Sequence, residues 1–154
     1  VLIAALFLGP ALADEGTAAL RSRFNAEPDP VRKAKLMPKL GEAEFRDIRK
    51  DVDESRLSDA VAVLQQYRDE AQRCANAFDA AKIDAEKHPS GFKELQISLR
   101  ESLRRLNEIT RGLPADEQAR FLEVREDLDE INRQMIHKLF PHEPAPSAPE
   151  KDSH

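Results

Sequence analysis

The side chains that could do chemistry in this 154-residue chain are one cysteine, four histidines, and several acidic and basic clusters. Cys74 lies between Ala71 and Phe78 in an apolar repeat, where a thiol serves as a small core residue; exposed in an oxidising compartment, it would instead link two chains. No lysine or histidine adjoins it in sequence to depress its pKa, which argues against a nucleophile. The histidines are His88, His137, His142 and His154. His137 and His142, with Glu143, come nearest to a metal-ligand set. Their spacing does not place both on one helical face, and Pro141 intervenes, so no metal site is expected. Carboxylates such as Asp127, Asp129 and Glu130 fall among Arg120, Arg125 and Arg133, where ion pairs one helical turn apart account for them. Arg32, Lys33, Lys35 and Lys39 form a basic cluster that reads either as a solvated helix face or as a surface for an acidic partner. No G-x-S-x-G, P-loop, G-x-G-x-x-G or Cys/His dyad is present, so the chain reads as a non-enzyme without a cofactor.

These residues must be carried by helices. Five glycines, no tryptophan and 34% charged residues fit an all-helical domain. A net charge of −5 opposes generic nucleic-acid binding. One cysteine excludes an internal disulfide and a cysteine-based zinc cluster. The dominant stretch is Leu57 to Lys87, where Leu57, Ala60, Leu64, Tyr67, Ala71, Cys74, Phe78, Ala81 and Ala85 recur every three or four residues. That is the seam of a helix packed on other helices, or on a second chain. Before it, Thr17 to Ala26 is a short helix. Asp29-Pro30 starts another, which Pro38 should kink or end near Met37. Gly41 to Asp53 follows, with Phe45, Ile48 and Val52 buried. His88-Pro89-Ser90-Gly91 should end the central helix, and Ser58 should cap its start. The next helix buries Phe92, Leu95, Leu99, Leu103, Leu106 and Ile109, and Gly112 should close it in a left-handed cap with Leu113 folding back. Pro114 opens the last helix, whose stripe is Phe121, Val124, Leu128, Ile131, Met135 and Leu139.

At the ends, Val1 to Ala13 (VLIAALFLGPALA) has the apolar core and the Ala11-Leu12-Ala13 cleavage signal of a secretory signal peptide, without its positive leader. This predicts a mature chain from Asp14, soluble in the periplasm or secreted. Residues 141–154, with four prolines and no bulky apolar residue, read as a disordered tail.

Ser55-Arg56-Leu57-Ser58-Asp59-Ala60-Val61-Ala62-Val63-Leu64-Gln65-Gln66-Tyr67 resembles the turn and second helix of a tetratricopeptide repeat. Leu57 and Ala60 stand at its bulky and small positions, and Ser55 stands where that family has glycine. The resemblance covers one hairpin, Glu42 to Tyr67, and implies helix-turn-helix geometry and peptide binding. Leu113-Pro114-Ala115-Asp116-Glu117-Gln118-Ala119-Arg120-Phe121 is similar to the L-T-x-x-Q helix start of periplasmic stress proteins of the Spy/CpxP type, which implies a chaperone-like role.

The sequence therefore predicts an all-α antiparallel bundle over 14–140, with three long helices and shorter N-terminal ones. It predicts an exported, non-enzymatic module for protein interaction or envelope structure, the alternative being a periplasmic chaperone-like or stress-response binder. The expected partner is a protein or peptide, with no nucleic acid and no membrane span in the mature chain.

Overall fold

A computed structural model of the chain describes residues 16–142. The signal-peptide segment 1–13 and tail residues 143–154 lie outside them. The described residues form five helices and no strand: α1 (Thr17–Ala26), α2 (Pro30–Asp53), α3 (Leu57–Ala80), α4 (Ser90–Arg111) and α5 (Ala115–Leu139). None of these helices is long and apolar enough to cross a membrane.

The all-α antiparallel bundle stands, with four long helices rather than three. The two short helices expected on either side of Pro38 are one, α2, because Pro38 sits inside the helix on its exposed face. A proline there forfeits one helical hydrogen bond and costs about 3 kcal/mol. Met37, Leu40, Ile48 and Ala34, all buried, hold both halves to the core and offset that cost. The α2 start is as expected: the Asp29 carboxylate accepts from the Arg32 N–H at 2.7 Å, with Pro30 at the first turn.

The long helices occupy the corners of a square. α2 adjoins α3 and α4, α5 adjoins α4 and α3, and α3 and α4 face each other across a diagonal with little backbone contact. Side-chain pairs fix the directions. Ser58–Arg120, Arg68–Asp127 and Asp79–Lys138 make α3 and α5 parallel. Arg125–Asn107 and Gln96–Asn132 make α4 and α5 antiparallel. The short α1 lies antiparallel on α2, with Leu20 and Phe24 buried and Thr17 Oγ1 donating to Asp47 Oδ2 at 2.7 Å.

Several boundaries differ from expectation, each for a local reason. α3 ends at Ala80, seven residues before Lys87, because Lys82 adopts φ 53°. The N–H of Ile83 then reaches Phe78 O (3.1 Å) and that of Lys82 reaches Asp79 O (3.0 Å), the paired bonds of a Schellman motif. His88 accordingly lies in a turn after the helix, not in its last turn. α2 ends in the same way on Ser55 (φ 60°), with Arg56 N–H bonded to Asp51 O at 2.7 Å and Ser55 N–H to Val52 O at 3.0 Å. At the start of α3 the N-cap is Arg56, and Ser58 Oγ accepts from Arg120 at 3.4 Å. Gly112 has φ −83° and closes α4 in a right-handed turn, so the left-handed cap expected there is absent.

Candidate functional site

The basic cluster of α2 does not act as one patch. Arg32 Nε pairs with Glu27 Oε1 at 3.2 Å, and Lys33 Nζ lies 4.7 Å from the centroid of the Phe24 ring, covering it. Lys39 is exposed and has a partner of its own. Lys35 alone of the four turns into a groove at one end of the bundle. There the start of α2, the turn 81–89 and the start of α4 meet around about 690 Å³.

That meeting is made possible by Gly91. A Cβ at this position would come within 2.9 Å of Phe78 Cε1 and 3.2 Å of Val31 Cα, so glycine allows the start of α4 to close on α2. Beneath it Phe78 and Phe92 stack with centroids 4.1 Å apart. The Asp84 carboxylate accepts from the N–H of Glu86 at 2.9 Å and of Lys87 at 3.4 Å, which shapes the turn. The Glu86 N–H leads in holding the Asp84 carboxyl below the usual aspartate range. The groove floor is Val31, Ile83 and Pro89, and its rim is Lys35, Lys87 and Lys93. Lys87 Nζ lies 3.6 Å from Asp84 Oδ2, while Lys35 and Lys93 make no ion pair among the described residues.

A second cavity, about 270 Å³ between α2 and α4, gathers Arg46, Arg49, Arg104 and Arg105. Its charge is answered from within. Arg104 holds Glu101 (2.6 Å) and Glu108, Arg105 holds Glu101 (3.1 Å), and Arg49 lies 3.9 Å from Glu108. The hydrogen bond from Arg104, with that from Arg105, lowers the Glu101 carboxyl to about 2.

The interior holds a polar cluster that the pattern of apolar residues did not reveal. Glu44 of α2 and Glu70 of α3 are both fully buried, and Arg21 of α1 bridges them, donating to Glu44 Oε1 and, at 3.2 Å, to Glu70 Oε1. The other oxygen of each carboxyl, Oε2, has no donor. Burial followed by the charge of Glu70 pushes the Glu44 carboxyl up to about 8. At neutral pH the Glu44 carboxyl is therefore held mainly in its neutral, protonated form. One signal existed in the sequence: Glu44 falls on the Met37, Leu40, Ile48 stripe. Glu70, between Tyr67 and Ala71 of the α3 seam, is internal as well.

Across the diagonal, the Tyr67 phenol of α3 reaches α4, 3.1 Å from Ser98 Oγ and accepting from Ser102 Oγ at 2.7 Å. Burial pushes this phenol up to about 12. Gly41 makes room for the ring, since a Cβ there would stand 3.0 Å from Tyr67 Cε2.

Cys74 is fully buried, and burial pushes its thiol up to about 12. It is out of reach of a second chain while the bundle is folded. His137 lies in the last turn of α5, and His142 Nε2 stands 3.8 Å from Glu86 Oε1. Glu143 and His154 lie outside the described residues, among which no three His, Cys, Asp or Glu side chains cluster to hold a metal. Asp127 meets Arg68 at 2.9 Å, while Asp129 and Glu130 meet Arg133. Gln118 of the last-helix start donates to Leu113 O at 2.9 Å, tying the turn before α5. No family model, curated protein or solved structure matches the chain.

Proposed function

We propose that the chain is an exported, non-enzymatic helical module that binds another protein through the lysine-rimmed end of its bundle. The observation that carries this reading is the groove itself: an apolar floor set between helix ends, with two rim lysines, Lys35 and Lys93, that make no ion pair among the described residues. The buried polar groups, Glu44, Glu70 and Tyr67, spend their bonds on one another and on neighbouring helices, which suits a role in specifying the fold. Export rests on the Val1–Ala13 sequence. The chaperone-like alternative draws less support. Among the described residues the exposed large apolar side chains are Ile97, Leu122 and Phe140, at 48%, 39% and 49%. Leu122 and Phe140 are about 27 Å apart along α5, too far to form one patch.

A photoreactive amino acid placed at position 93, in cells that make the protein, tests the reading against the same label at position 122. A discrete protein adduct from 93, lost on Lys35→Glu, is expected. Equal labelling from both positions, or none from 93, would refute a docking role for this end. The mass of the isolated protein should correspond to a chain beginning at Asp14. An intact Val1–Ala13 segment on the finished protein would remove the export half of the proposal.

A further inference from the structure

We infer that the groove between the starts of α2 and α4 takes an extended acidic segment of a partner protein, its apolar side chains on Val31 and Ile83 and its carboxylates on Lys35, Lys87 and Lys93. This rests on the docking role argued above and names the chemistry of what docks.

Charge complementarity carries the choice. The lysine groove and the arginine cavity differ in whether their cations are already used. In the arginine cavity Glu101 and Glu108 neutralise the surrounding guanidinium groups, so an incoming anion would have to displace a carboxylate held at hydrogen-bond distance. Among the described residues Lys87 alone of the groove's lysines makes an ion pair, with Asp84, and at 3.6 Å that pair is loose. Lys35 and Lys93, both exposed, project from neighbouring parallel helices with no ion pair among the described residues. α4 adds to the positive field, because its first turn holds no acidic residue and its N-cap, Pro89, supplies no capping side chain.

Shape selects a peptide over a lipid surface. The site is concave, and about 690 Å³ falls within the range of about 300–1,000 Å³ typical of ligand clefts. Its lining has no aromatic side chain to sink into a headgroup layer. Lysines spread along a rim favour several carboxylates spaced along a strand over one compact anion.

The test is a fluorescence-polarisation titration of the full chain with a short labelled peptide of alternating valine and glutamate, beside valine–lysine and valine–serine versions. The valine–glutamate peptide should bind, weaken with added salt, and lose about tenfold in affinity with Lys35→Glu or Lys93→Glu, the loss of about one charged contact. Lys50→Glu, an equal change of charge at the other end of α2, should leave binding unchanged. Helical circular dichroism, unchanged in all three variants, excludes misfolding, since the substituted lysines are exposed. If the valine–serine or valine–lysine peptide binds as well as the acidic one, the docking role survives and the acidic specificity fails. If none of the peptides binds, both fail. Binding to phosphatidylglycerol vesicles in place of the peptide would assign the groove to membranes and overturn the proposal. So would competition by an unlabelled peptide of residues 143–154 as strong as that of the acidic peptide, which would make the chain its own occupant.

Discussion

Glu44 and Glu70 share one cation, Arg21, whose side chain is 25% exposed while theirs are buried. Two buried carboxylates beside one close guanidinium cannot both ionise cheaply, and burial with the charge of Glu70 keeps the proton on Glu44 in the folded chain. Around them, Gln66 Nε2 lies 3.4 Å and Arg73 3.9 Å from Glu70 Oε1. In the unfolded chain Glu44 loses its proton at the ordinary glutamate value; in the folded chain, at about 8. Folded protein therefore binds more protons between these values. This contribution to stability is full below the ordinary value and is lost as pH rises through about 8. Denaturant midpoints measured from pH 5 to 9 should decline, at up to about 1.4 kcal/mol per pH unit for one proton. Glu44→Gln, neutral at every pH, should abolish that decline and exceed the parent in stability at pH 9. A parent whose stability does not fall across this window would show that no proton is held there. Arg21→Met, in contrast, leaves a buried charge unpaired and should cost about 3–5 kcal/mol at pH 7. At this scale the sequence was only partly legible. A seam built from apolar types hides a glutamate in register with it, because hydropathy patterning reads burial from side-chain polarity and not from the partner that neutralises it.

The helices themselves were legible as amphipathic stripes, and their ends were not. A left-handed cap is read from glycine, yet here the two such caps are Ser55 and Lys82, while Gly112 sits at φ −83°. The motif is enforced at Ser55 and Lys82 by the chain reversal and its two backbone bonds, against a side-chain penalty of about 1–2 kcal/mol at each. Ser55→Gly and Lys82→Gly should each raise stability by about 0.5–1 kcal/mol, the relief of that penalty less the added freedom of the unfolded glycine. Gly112→Ala should be neutral or stabilising by up to about 1 kcal/mol, since the nearest atom to its Cβ, Ile109 O, stands at 3.5 Å. Thermal unfolding of the three variants measures all of this, and the reverse order, with Gly112→Ala the most harmful, would contradict the assigned caps. Gly91→Ala belongs with them as the opposite case. It should destabilise by about 1–3 kcal/mol through overpacking on Phe78, although no positive φ marks the residue. Pro38 taught a related lesson: the proline rule expects a break, and buried residues on both sides of it carry the helix through.

Which helices are neighbours was the least legible level. Periodicity assigns a buried face to each helix but not the helix it faces, and short turns suggested that α3, α4 and α5 pack side by side. In the molecule α2 stands between α3 and α4, and the segment 81–89 crosses the diagonal to join them. The same crossing builds the groove, since the long turn supplies Ile83, Lys87 and Pro89 beside the start of α2. A topology with α3 and α4 adjacent would need a shorter turn and would have no such floor. The arrangement also answers whether the α3 seam serves a second chain. Leu64, Tyr67, Ala71, Cys74 and Phe78 are each fully buried within one copy, by α2, α4 and α5 together. A seam closed internally offers nothing to a coiled-coil partner. Light scattering on the chain from Asp14 to His154 should therefore give the mass of a monomer, the same with and without reductant. A dimer that reductant dissolves would place Cys74 at a surface and would require a packing of α3 other than this one.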